Sequence, residues 1–230
     1  MSRSEQLRMI HQNMQLNKNS KKQDQQIKFV VQGVKSELES VFNVRLVTDS
    51  RLLLKDILTK LRAEFKDVQF VNLETQNSCM IPDGGITYLI DKEGKKYPIL
   101  IGEVKSQGTN DERIKKNMKK QSMGNAIERL AKNVIGFRTF MFNESIFPFV
   151  CFGSGCDFEK GSSILDRVHV VAMFGSLNDD HTADERMFNR GSYYFRPKVW
   201  TVEEQYDIMY NVAKKSILYY FDRYDKESFM

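Results

Sequence analysis

Two short strings bring carboxylates and a lysine together in a pattern that suits one kind of chemistry. They are Ile81-Pro82-Asp83-Gly84-Gly85 and Gly102-Glu103-Val104-Lys105, with Glu103 twenty residues after Asp83. Two carboxylates can hold a hard divalent cation such as Mg2+, which takes oxygen ligands and keeps several of its waters. A lysine beside such an ion can orient an attacking water or help deprotonate it. The set fits phosphodiester hydrolysis, where a cation offsets charge on the phosphate and on the leaving oxygen. Each string also has a plainer reading. Glu103 and Lys105 would suit an exposed strand with an ordinary ion pair, and Pro82 to Gly85 would suit a simple turn.

A third string, Gly124-Asn125-Ala126-Ile127-Glu128-Arg129, has the residue types that read base edges. Asn can bond adenine through N6 and N7, and Arg can bond purine acceptors in the major groove. Glu can accept from exocyclic amines. Asn125, Glu128 and Arg129 fall within about one helical turn. They open a predicted helix, where backbone N–H groups and the positive end of the dipole face outward. The plainer alternative is a capped helix with a surface Glu and Arg. Lys115, Lys116, Lys119 and Lys120 are either phosphate contacts or a solvated face.

The elements that must position these residues follow from periodicity. Met80–Ile90, bent at Pro82 to Gly85, and Tyr97–Lys105 are predicted strands, joined by the polar turn Asp91-Lys92-Glu93-Gly94-Lys95-Lys96. Alternation puts Glu103 and Lys105 on one face, and an antiparallel neighbour can bring Asp83 there. Apolar spacing predicts helices over 27–42, 52–65, 124–142 and 201–221. In the third of these the inward stripe is Ile127, Leu130, Ala131, Val134 and Phe137. Val68–Leu73, Phe147–Phe152 and Val168–Phe174 read as further strands, and the stretches 106–123 and 176–191 as polar segments. The mixture predicts an α/β fold: a central mixed β-sheet flanked by helices.

Bulk properties agree with a DNA partner without requiring one. The chain has 230 residues, 41% of them hydrophobic, and a formal charge of +5. One domain is expected over 27–230, preceded by a basic arm over 1–26 that is mobile or weakly helical. Such an arm could neutralise phosphates or do nothing. The three cysteines, Cys79, Cys151 and Cys156, are too few and scattered for a disulfide framework, which fits a reducing cytoplasm. No apolar run reaches the length of a membrane span.

The Pro-Asp, gap, Glu-x-Lys pattern resembles the signature of the restriction-endonuclease-like nuclease superfamily. Gly124 to Arg129 with Lys132-Asn133, then Phe140-Met141, Glu144-Ser145 and Phe147-Pro148-Phe149-Val150, resembles the EcoRI family of type II restriction enzymes. The similar region spans about residues 81–152. Upstream, Asp49-Ser50 matches an acidic position near the family's active site more loosely. Downstream, Tyr194-Phe195-Arg196-Pro197 before a final helix is similar to the shorter, MunI-like relatives.

The resemblance implies a restriction-endonuclease-like fold and a homodimer that cuts duplex DNA at a palindrome containing AATT, leaving four-base 5′ overhangs. Asp83 and Glu103 would bind Mg2+, the Val104 carbonyl would add a ligand, and Lys105 would position the water. Asp49 is a further, accessory acid. Asn125, Ala126, Glu128 and Arg129 would read the central bases, with Arg167 in a later recognition segment. Three positions beyond Arg167, where the family has a second arginine, stands Val170. The outer base pair therefore stays open: the target is GAATTC, CAATTG or something looser around AATT. The resemblance also implies a partner methyltransferase in the host. The rivals are a repair or recombination nuclease of the same superfamily and a DNA-binding protein that does not cut.

Overall fold

Two strands rich in β-branched and apolar residues form the centre of the protein. The computed structural model describes residues 3–106, 110–119, 125–182 and 190–230, with the side chains of 3–21, 111, 112 and 125 excepted. Strands β4 (Gly85–Ile90) and β5 (Lys96–Ser106) make the predicted hairpin, closed at Gly94. Strand β1 (Arg45–Asp49) pairs antiparallel with β4, while β6 (Phe149–Ser154) and β7 (Ser192–Arg196) continue in parallel beyond β5. The order is β1-β4-β5-β6-β7, a mixed five-stranded sheet. A separate two-stranded ladder joins β2 (Leu52–Leu53) to β3 (Cys79–Met80).

Parallel neighbours need crossover connections. Helix α4 (Asn125–Phe140) links β5 to β6, and α5 (Ser163–Val171) links β6 to β7. Those two helices touch each other, and the Phe137 ring of α4 lies 6.1 Å from that of Phe149 on β6. The opposite face carries α1 (Arg3–Phe42) and α6 (Val202–Tyr224), packed together and against β5. Ile27, Val30, Val34 and Leu38 are buried there from α1, and Met209, Val212, Ala213 and Ile217 from α6. Helices α2 (Leu54–Glu64) and the short α3 (Asp111–Lys115) complete the described helices, with two 3-10 turns at Cys156–Phe158 and Lys226–Phe229. The architecture is the expected α/β. No helix among the described residues is long and apolar enough to cross a membrane.

One irregularity sets which way β5 points. Thr87 pairs with Leu100 but Tyr88 pairs with Pro98, so Ile99 is one residue too many. Such a bulge shifts the pleat, and every side chain beyond it changes face. Tyr97 packs on Tyr220 and Tyr224 of α6. Glu103, six residues on, meets Asn133 of α4 on the other side. In an unbroken strand the two would share a face.

Several expectations need correction. Val168–Phe174 is not a strand: α5 runs through Val171, because Ile164, Val168 and Val171 bury one helical stripe and the Ser162 side chain caps the start by accepting from the Ile164 N–H at 3.2 Å. Val68–Leu73 forms no strand either. Val68 is 52% and Val71 83% exposed, so the alternation has nothing to pack against. The strand expected over Met80–Ile90 is split, with Ile81 to Gly84 outside both pieces. The helix expected from Leu52 begins at Leu54, after the short β2. Helix α3 interrupts the polar stretch 106–123, in which 107–109 and 120–123, including Lys120, lie outside the described residues. Gly124, the expected start of the third helix, does too, as does 183–189 of the later polar stretch. The expected arm, residues 1–26, falls within α1 from Arg3 onward. Its end is tied down: Gln23 donates to Ser154 Oγ at 3.1 Å, and Gln26 donates to Trp200 O and Gln205 Oε1, each at 3.0 Å.

Candidate active site and recognition helix

The hairpin register brings the two strings together. Gly85 stands opposite Gly102, so Asp83 and Gly84 run alongside Gly102 to Val104. Gly85 has φ +78°, a left-handed conformation that suits glycine, and a Cβ there would lie 3.0 Å from Asp49 O. At Gly102 a Cβ would meet Met209 at 2.9 Å and Ile27 at 3.2 Å. Absence of a side chain at Gly102 is what lets α1 and α6 press against the back of the site.

Three backbone hydrogen bonds fix the loop. The Gly84 N–H donates to Gly102 O at 2.9 Å, and the Val104 N–H to Asp83 Oδ2 at 3.0 Å. The Asp83 N–H donates to Glu103 Oε2 at 3.4 Å. Lys105 Nζ lies 3.5 Å from Asp83 Oδ2 and 3.0 Å from Val104 O, and it pairs with Glu103 Oε1. Three oxygens from the residues singled out in the sequence therefore face a single ammonium group. Hard oxygens converging on one positive centre are the donor set that Mg2+ takes. Among the described residues no three His, Cys, Asp or Glu side chains gather as ligands. An ion here would have two carboxylates, one carbonyl and waters.

Burial shapes the charges. Glu103 is 2% exposed, and burial pushes its carboxyl up, with Lys105 opposing and Asp83 reinforcing. Burial draws Lys105 down, but Glu103, Cys151 and Asp83 outweigh it and hold the ammonium above its ordinary value. Three oxygens surround the lysine, and each stabilises its charged form. Next to Glu103 in the parallel register stands Cys151, fully buried, whose thiol burial keeps far above its usual range.

Two residues near this centre went unassigned in the sequence. Asn133 of α4 donates from Nδ2 to Glu103 Oε1 at 3.3 Å. Asp24 of α1 is half-buried. Burial raises its pKa, the charge of Asp83 raises it further, and Lys28 and Lys105 oppose. Ile27, one turn further along α1, lies against Gly84 and Gly102. Asn133 stands in a string that carries the family resemblance but has no role legible from composition or spacing, and Asp24 has no signal at all, since each acts across elements far apart in the chain.

The base-reading candidates cluster at the start of α4. Asn125 is its first residue, and the side chain lies outside the described structure. Ala126 is half-buried, and Glu128 and Arg129 are exposed. Ile127, Leu130, Val134 and Phe137 are buried as the periodicity predicts. Arg167 is exposed on α5, which packs on α4, and Val170 is exposed one turn further on. Asp49 stands apart: its carboxylate pairs with Lys96 at 2.7 Å, and none of its described hydrogen bonds reaches Asp83, Glu103 or Lys105.

The family model for restriction endonuclease EcoRI matches residues 11–178. The chain is 30% identical to the type II restriction enzyme RsrI of Cereibacter sphaeroides over 235 residues, covering 86% of this chain and 84% of that one. It is 33% identical to the type II restriction enzyme EcoRI of Escherichia coli over 202 residues, covering 71% of this chain and 72% of that one. The likeness reaches well beyond the span of about 81–152 read from the motifs.

Proposed function

Because this chain belongs to the EcoRI family of type II restriction endonucleases, we propose that it hydrolyses both strands of duplex DNA at a palindrome with an AATT core. The outer pair would be G·C or C·G, giving GAATTC or CAATTG, and the products would carry 5′ overhangs. The observation that carries this reading is the convergence of Asp83, Glu103 and Val104 oxygens on the Lys105 ammonium.

Asp83, Glu103 and the Val104 carbonyl would hold Mg2+, which supplies positive charge against the phosphate and the leaving oxygen. Water attacks phosphorus in line, and the deoxyribose 3′ oxygen departs. Lys105, beside the same oxygens, would position the attacking water and donate to the phosphate, and the proton of that water would pass to solvent. Glu103 is fixed by donors on both oxygens and buried from solvent, so its carboxylate is preorganised. Asn125, Ala126, Glu128 and Arg129 would read the inner bases in the major groove, and Arg167 would act at the flank. A homodimer would match the twofold symmetry of the palindrome. A methyltransferase acting on the same sequence would protect the host, and both enzymes would work in the cytoplasm. Residues 27–230 would form one nuclease domain, with 1–26 as a basic extension able to meet phosphates.

The test is digestion of plasmid DNA with Mg2+, followed by sequencing of the ends. Discrete ends at one AATT-centred hexamer are the expected result. Random ends would replace it with a repair-type nuclease, and specific retention without cutting would replace it with a binding module.

A further inference from the structure

Glu103 is the most deeply buried charged side chain of the site, so its oxygens depend on protein donors rather than water. Oε2 receives the Asp83 N–H, and Oε1 receives both Lys105 and the Asn133 amide. Two of these three donors belong to the hairpin itself. The third comes from α4, thirty residues on in sequence. Helix geometry puts Asn133 about 20° from Ala126 and about 40° from Arg129 around the axis, roughly 6 Å beyond Arg129 along it. Ala126, Arg129 and Asn133 therefore line one edge of the buried stripe of α4. The same edge that carries base-reading candidates at its start touches the buried carboxylate two turns later.

We propose that Asn133 is a positioning residue that orients Glu103 for cation binding and ties that orientation to the placement of α4. This rests on the reading of Asp83, Glu103 and Val104 as the cation ligands. The amide holds Oε1 on the side of Asp83 Oδ2 and Val104 O. When α4 is seated, Oε1 is aimed at its co-ligands. When α4 shifts by the order of an ångström, a contact already at 3.3 Å is lost and Oε1 of Glu103 is left to Lys105 alone. Recognition at the head of the helix and readiness of the acid thus share one rigid body. Outer-shell partners of this kind are worth about 10–100-fold in metal affinity or activity.

The experiment compares Asn133→Leu, which keeps much of the volume without a donor, with Asn133→Gln, which keeps an amide. Mn2+ affinity of the DNA-free protein is measured by calorimetry, beside single-turnover cleavage in Mg2+ and DNA binding without divalent metal. Asn133→Leu should bind Mn2+ about tenfold more weakly and cut correspondingly slower. Its metal-free DNA binding should stay within about threefold of the parent, because the residue contacts Glu103 rather than a base. Asn133→Gln should recover part of both losses. Unchanged Mn2+ affinity in Asn133→Leu, or equal impairment in the two variants, overturns the proposal. If Asn133→Leu does not fold, Asn133→Ser removes the reach to Glu103 without adding apolar bulk and carries the same readings. Failure of the parent protein to cut DNA would count against the proposed function, while the Mn2+ comparison would still decide the role of Asn133.

Discussion

The two ends of strand β5 serve opposite purposes. At one end Tyr97 is 5% exposed and sits among the rings of Tyr220, Tyr224 and Phe229, with centroids 5.1 to 5.2 Å away. Its hydroxyl donates to Asp91 at 3.0 Å. At the other end Glu103 and Lys105 bury charge against charge on the face of α4. Aromatic burial stabilises the fold outright. A buried ion pair returns little net stability, because desolvation offsets the attraction. One strand thus carries an anchor and a costly polar centre, and the bulge at Ile99 keeps them on separate faces. Chemistry here is sustained by stability generated elsewhere on the same strand.

Substitutions at the two ends should divide accordingly. The largest effect is expected from Asp83→Ala: a loss on the order of 10³-fold in single-turnover cleavage, the scale of removing a group that organises transition-state charge. Specific DNA binding should persist and the melting temperature should change little, since Asp83 is more exposed than Glu103. At the other end Tyr220→Ala should cost about 3–5 kcal/mol in denaturant unfolding, the usual price of emptying an aromatic site. Cleavage per folded molecule should not change. A large drop in cleavage there would merge the two regions into one. Tyr220→Phe sharpens the point. The Tyr220 hydroxyl is buried with no hydrogen-bond partner among the described residues, so its removal should leave stability equal or higher.

The pH profile probes the polar end alone. Burial raises the pKa of Glu103, so the acid stays protonated beyond the ordinary carboxylate range and ionises later. The Mn2+ affinity of the DNA-free protein should therefore strengthen as pH rises through and above that range, and level off once Glu103 is ionised. An affinity that does not change across that range would separate Glu103 from the cation. For stability, the raised Glu103 contributes below the unfolded carboxylate pKa, and that contribution is lost as pH rises through its folded value. Lys105 contributes below the unfolded lysine pKa and loses its share only as pH passes its own raised value. The smallest effect is expected from Asp24→Asn, which removes a charge near Asp83 without touching the loop. Mg2+ affinity should weaken by about twofold to fivefold, a Coulomb contribution through partly solvated space.

What the sequence made legible follows from distance along the chain. Asp83, Glu103 and Lys105 were readable because a hairpin is local: alternation and a Gly94 turn bring residues twenty apart together. The inward stripe of α4 was readable for the same reason. Helix α5 reads as a strand because Val168, Val170 and Val171 favour extended chain, yet the Ser162 cap and the Ile164/Val168 spacing make it a helix. Strands β1 and β7 have no clear alternation to mark them. Only Leu46 is buried in β1, and β7 takes its buried character from its neighbours rather than from alternation. Asn133 and Asp24 lay beyond reach because their roles depend on which helix covers which face.

The extra residue in β5 also makes counting matter along this stretch of chain. Between Tyr97 and Glu103 the alternation is broken once, so an odd number of insertions or deletions there would reverse which layer receives the acid and the lysine, whereas an even number would preserve it. Length variation among relatives in this segment should come in steps of two, or be compensated by the loss of the bulge itself. Parity, rather than the identity of any residue between Pro98 and Ile101, is the quantity this part of the gene has to keep.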